Sequence, residues 1–122
     1  VTTADFFATV AELEGIKDLP ETSAPDSFSF AHVLRDPTAP SKRPHTVLSD
    51  VQGRLALRFG KWKMMDAKVP NKADIPIELY DIEADPSETR NVAQKNSEII
   101  EQGQKLLQAI RDADSSRKIE GL

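Results

Sequence analysis

The stretch GRLALRFGKWKMM, residues 53–65, sets Arg54, Arg58, Lys61 and Lys63 into two short runs of period two that meet at Gly60. In an extended chain alternate residues share a face. Arg54, Ala56 and Arg58 therefore point one way and Leu55, Leu57 and Phe59 the other, while Lys61, Lys63 and Met65 oppose Trp62 and Met64. A guanidinium and ammonium ladder of this kind is suited to holding oxyanions. Its sharp reading is a platform for an anionic polymer. Its plain reading, the one expected here, is the solvated or domain-docking side of a one-sided sheet, which needs the same alternation. Arg58 is expected to pair with Glu78 or Asp81 if their strand lies alongside.

Other chemistry is sparse. The chain has no cysteine, which excludes disulfides, thiolate metal sites and a cysteine nucleophile. His32 and His45 stand alone, the acidic residues do not cluster, and no glycine-rich phosphate loop is present, so neither a metal site nor a catalytic centre is expected. A net charge of −4 without a basic run argues against nucleic acid. No apolar run is long enough for a membrane span and no leader pattern is visible. The chain opens at Val1 without an initiator methionine and is expected to be cut from a longer protein. Trp62 is expected in the core and Tyr80 in packing, whereas Glu12, Glu14, Glu98 and Glu101 lie on outward helix faces.

The elements that must position the ladder follow from periodicity. Residues 3–15 read as a helix with Phe6, Val10 and Leu13 on one stripe, Phe7 beside it, a capping box of Thr2 with Asp5, and Gly15 at the end. Residues 17–44 hold five prolines and read as irregular chain ordered by packing on something else. Runs at 46–51, 54–59, 61–65 and 77–82 read as four strands, the first three joined by tight turns at Gly53 and Gly60. Asp85-Pro86-Ser87-Glu88 has the composition of a helix start, expected to run a turn or two through Val92. An amphipathic helix is predicted from Asn96 or Ser97 to Asp114, with Ile99, Gly103, Leu106 and Ile110 on one stripe, and a frayed tail beyond Ser115. Gly103 on that stripe implies close backbone approach to the sheet. The fold class is α+β: a small antiparallel sheet against a C-terminal helix, preceded by an N-terminal helix and a proline-rich segment.

Three stretches in order resemble the C-terminal end of type I sulfatases. DFFATVAELEGI with PDSFSFAHVL resembles that family's D-x-x-x-T-x-x-x-L-x-G-I helix and its following D-x-x-S segment. GRLALRFGKWKMM is similar to its G-x-x-A-[IL]-R-x-G-x-W-K run, and ELYDIEADPSETRNVA to its E-L-Y-D-L-x-x-D-P-x-E-x-x-N-L-A signature. The resemblance implies that residues 1–44 match the edge of a catalytic domain and residues 45–122 the α+β C-terminal subdomain. It also implies a parent enzyme, periplasmic or secreted, whose absent catalytic domain is this chain's partner and carries a formylglycine and Ca²⁺. No C-x-P-x-R or S-x-P-x-R motif matches here, so the chain alone is expected to be inactive. Where relatives read H-H-S-x-x-G, this chain has Leu48-Ser49-Asp50-Val51-Gln52-Gly53. Ser49 and Asp50, with Arg54 and Arg58, are then the candidate substrate-binding residues, the parent's substrate being a sulfated small molecule or glycan. The alternative is a free-standing module that binds anionic glycans through the Arg54, Arg58, Lys61 and Lys63 face; a purely structural interaction domain is a third. Exposed apolar surface on the first helix is expected to make the chain self-associate.

Overall fold

A computed structural model describes residues 1–113 and 115–119. The described residues divide into two compact units, Val1–Pro44 with residues 110–113 and 115–119, and His45–Ala109.

In the first unit a 3₁₀ turn, Thr3–Asp5, leads into helix α1, Phe6–Leu13. The Thr2 N–H donates to Asp5 Oδ2 at 2.8 Å, the reach-back half of a capping box. Gly15 closes the helix at φ 84°, as its lack of a Cβ allows. The face that α1 buries is not its bulky stripe. Asp5, Ala8, Thr9 and Ala11 are buried, while Phe6, Phe7, Val10 and Leu13 remain 58, 56, 54 and 50% exposed.

Small and polar residues point inward because they anchor the proline-rich segment. Asp5 Oδ1 accepts from the Phe28 N–H at 3.0 Å, Thr9 Oγ1 from the Phe30 N–H at 3.1 Å, and Ser27 Oγ from the Ala8 N–H at 2.9 Å. Arg43 closes on Asp5 as an ion pair and lies 4.7 Å over the Phe28 ring. The irregular segment is thus tied down by its own chain, and it contains a short helix, α2, Ala31–Arg35, that periodicity does not reveal. Nor do the described residues of the tail fray. Ser115 and Ser116 are buried, Ser116–Lys118 form a 3₁₀ turn, and Arg117 donates to the carbonyls of Pro20, Glu21 and Ser23.

The second unit is a four-stranded antiparallel sheet in the order β1 (His45–Ser49), β2 (Leu55–Phe59), β3 (Trp62–Met65), β4 (Glu78–Asp81). Gly53 at φ 82° and Gly60 at φ 52° make the two tight turns. Register sets Leu57, Met64 and Leu79 side by side, all fully buried, under helix α3, Ser97–Ala113. Gly103 lets the helix come close: a Cβ there would stand 2.8 Å from Met64 Sδ and 3.1 Å from Phe59 Cε1. The anticipated helix end at Asp114 lies outside the described residues.

No helix forms over residues 85–92. Asp85 uses its carboxylate to close a loop instead, accepting from the Arg90 N–H at 2.8 Å and from Thr89 Oγ1 at 3.1 Å. Glu88 sits at φ 54°, a conformation that interrupts any helix and that L-residues rarely adopt. The α+β class and the four strands agree with the reading from periodicity.

Candidate functional site

Strand β2 separates the sheet's two faces. Leu55, Leu57 and Phe59 turn toward α3; Ala56 and Arg58 turn away, and register carries that second face across the sheet as the rows Thr46–Arg58–Lys63–Tyr80 and Leu48–Ala56–Met65–Glu78. On it lies a depression of about 360 Å³, lined by Leu48, Ala56, Arg58, Lys63, Ile82, Pro86 and Glu88.

The basic ladder is mostly neutralised, and not in the expected pairing. Arg54, its side chain only 11% exposed, bonds Glu78 at 2.7 Å and also the carbonyls of Asp66 at 2.8 Å and Pro76 at 3.0 Å. It is a clamp between loop and strand. Lys61 is in the turn, not on the outer face; its Nζ lies 2.7 Å from Asp81 and 4.7 Å over the Trp62 ring, which is half-buried rather than fully in the core. Lys63 pairs with Glu88 at 2.6 Å. Glu78 and Asp81, the carboxylates anticipated for Arg58, are therefore taken by Arg54 and Lys61. Among the described residues the Arg58 guanidinium has no carboxylate partner.

Ser49 and Asp50 do not converge with Arg58. Ser49 stands opposite Leu55, on the other face, and its hydroxyl donates to the Asp50 carbonyl at 3.1 Å. Asp50 Oδ1 accepts from the Gln52 and Arg54 N–H groups at 2.7 and 3.0 Å, building the β1–β2 turn. Sequence reasoning overlooked Glu88, whose DPSE setting spells a helix cap; only Lys63's position across space shows its use.

Electrostatics follow these contacts. Tyr80's hydroxyl, and next Arg54's guanidinium, hold the Glu78 carboxyl below the usual carboxylate range against a smaller opposing push from burial. Reciprocally, donation to Glu78 and burial push Tyr80 up to about 12. Lys61, then the Ala84 N–H, lowers Asp81. His45 is buried at the start of β1, and His32 hydrogen-bonds the Pro40 carbonyl at 3.0 Å. No group of three or more His, Asp or Glu able to hold a metal ion occurs among the described residues.

No family model matches the chain. It is 32% identical over 119 residues to an N-acetylgalactosamine-6-O-sulfatase of Bacteroides thetaiotaomicron, a match covering 88% of this chain and 22% of that protein. A solved sulfatase structure from the same organism, described in connection with the metabolism of multiple glycosaminoglycans, superposes with a TM-score of 0.74 at 30% identity, over 88% of this chain and 24% of the other. In sequence and in fold the chain is homologous to part of a sulfatase. The chain spans less than a quarter of the length of either relative. It has no helix long and apolar enough to cross a membrane among its described residues.

Proposed function

We propose that this subdomain serves a sulfuric ester hydrolase by packing on a catalytic domain and forming one wall of its substrate cleft, with residues 45–122 as the C-terminal subdomain and 1–44 continuing the catalytic domain's edge. The observation that carries this reading is the α1 stripe: four bulky apolar side chains, each at least half exposed, on a helix whose inner face is already filled by small and polar residues. A docking partner that covers Phe6, Phe7, Val10 and Leu13 accounts for why the large residues face outward.

The catalytic groups that the family uses do not fit this chain. There is no cysteine, and the one S-x-P triplet, Ser23-Ala24-Pro25, continues to Ser27 where an arginine is required. Formylglycine and Ca²⁺ accordingly belong to the partner domain, and the subdomain alone is inactive. Periplasmic or extracellular placement follows from the same kinship. On the wall itself, Arg58 is the cation offered to substrate, Ser49 and Asp50 shape the rim turn, and Arg54 holds that turn to β4.

The test is to truncate the Bacteroides N-acetylgalactosamine-6-O-sulfatase before the matching segment and add this chain to it. The expected result is a complex by size-exclusion chromatography with light scattering, lost in Phe6→Asp/Val10→Asp, and no sulfate ester hydrolysis by the chain alone. Turnover by the isolated chain, or absence of any complex, overturns the reading.

A further inference from the structure

Arg58 and Lys63 are register partners, directly opposite each other on adjacent strands. Like charges in that position repel across a separation of roughly 5 Å and are ordinarily avoided. Only one of the two is paired: Glu88 lies 2.6 Å from Lys63, and no carboxylate pairs with Arg58 among the described residues. The Glu88 carboxylate is delivered from a residue at φ 54°, so the loop accepts an unfavourable backbone conformation to bring it there. The local sum is two cations against one anion, a surplus of a single positive charge, inside a depression walled by Leu48, Ala56, Ile82 and Pro86.

We propose that this depression binds one singly charged oxyanion group carried on a sugar, with Arg58 as its principal ligand and Lys63 shared between the anion and Glu88. A sulfate monoester or a uronate carboxylate carries the one negative charge that closes the balance, and the apolar wall receives the C–H face of the ring. Glu88 sets the strength of the site: it screens Lys63, so the bound group sees a net charge of one rather than two. The inference rests on the proposed role as a cleft wall, and it names the substituent which that wall would take.

The test is an NMR titration of the full chain with N-acetylgalactosamine 6-sulfate, glucuronate, unsulfated N-acetylgalactosamine and inorganic sulfate. The charged sugars are expected to shift the Arg58 and Lys63 backbone amides and the neutral sugar is not. Arg58→Ala should weaken binding by roughly tenfold or more, as loss of a charge-assisted contact implies. Glu88→Gln should strengthen it several-fold, on the order of the Coulomb effect of one nearby half-screened charge; a merely structural Lys63–Glu88 pair predicts no gain. Comparing the two charged sugars distinguishes sulfate from carboxylate as the source of the anion. Binding of inorganic sulfate alone, no shift with either charged sugar, or unchanged affinity in Arg58→Ala overturns the proposal. So does protection of Arg58 by a protein carboxylate in the complex with the truncated relative. If that complex forms through α1 while no charged sugar binds, this inference fails and the cleft-wall reading stands; if sugars bind but no complex forms, the reverse holds.

Discussion

The Arg54 guanidinium reaches past the end of β3 to place its Nη1 2.7 Å from Glu78 Oε1 on β4, while Tyr80 on the same strand donates its hydroxyl to Glu78 Oε2. This three-residue network ties the start of β2, the 66–76 loop and β4 together, since Arg54 also holds the Asp66 and Pro76 carbonyls.

Tyr80 reports on that network directly, because it is the chain's one tyrosine. Its folded pKa is raised to about 12 from 10.0, so the stability it contributes is complete below pH 10 and is lost as pH climbs toward 12. Ultraviolet titration of tyrosinate should give a midpoint near 12 in the folded chain and one shifted back toward 10 in Glu78→Gln.

Glu78 acts in the opposite direction. Its folded pKa is depressed from 4.5, so the stability it adds is present above that value and disappears as pH falls through the lower folded value. Thermal melts taken from neutral to acid pH should steepen in their decline below the ordinary glutamate range, and Glu78→Gln should flatten that decline.

Arg54 and Arg58 should separate cleanly under substitution. Arg54→Ala removes an ion pair and two carbonyl contacts and is expected to cost about 2–3 kcal/mol by chemical denaturation. Arg58→Ala, exposed and without a carboxylate partner among the described residues, should change stability by less than about 0.5 kcal/mol. Equal losses for the two would contradict the division of the ladder into one clamp and one available cation.

Gly103→Val tests the helix–sheet approach. A Cβ already meets Met64 Sδ at 2.8 Å and Phe59 Cε1 at 3.1 Å, and both side chains are buried, so a branched side chain should overpack the core by about 1–3 kcal/mol. A higher melting temperature in this variant would show that the core has room which the geometry denies.

The α1 stripe predicts concentration-dependent self-association of the isolated chain through Phe6, Phe7, Val10 and Leu13. Light scattering should show mass rising with concentration, and Phe6→Asp/Val10→Asp should restore a monomer. A monodisperse wild-type monomer at high concentration would count against an exposed docking face.

Local rules made much of this molecule legible before any coordinates. Period-two runs broken by Gly53 and Gly60 located the strands and their turns, and the 3.6-residue period of α3, with Gly103 on its buried stripe, located the covering helix. These features depend on neighbours within a few residues, and chain geometry alone dictates them. Who pairs with whom was a different matter. Arg54 and Arg58 have the same chemistry four residues apart, one on either side of Ala56; register and the path of the 66–76 loop gave Glu78 to the first and left the second without a carboxylate among the described residues. Asp85-Pro86-Ser87-Glu88 suits a helix cap and a closed loop equally well, and Lys63, distant in sequence, is where Glu88 is spent. The orientation of α1 was likewise settled by partners far along the chain: three hydrogen bonds tying Asp5, Ala8 and Thr9 to residues 27–30 outweigh the pull to bury two phenylalanines. Unpaired polar groups cost more in an interior than apolar ones cost at a surface, so long-range hydrogen bonding decided which side of that helix faces out.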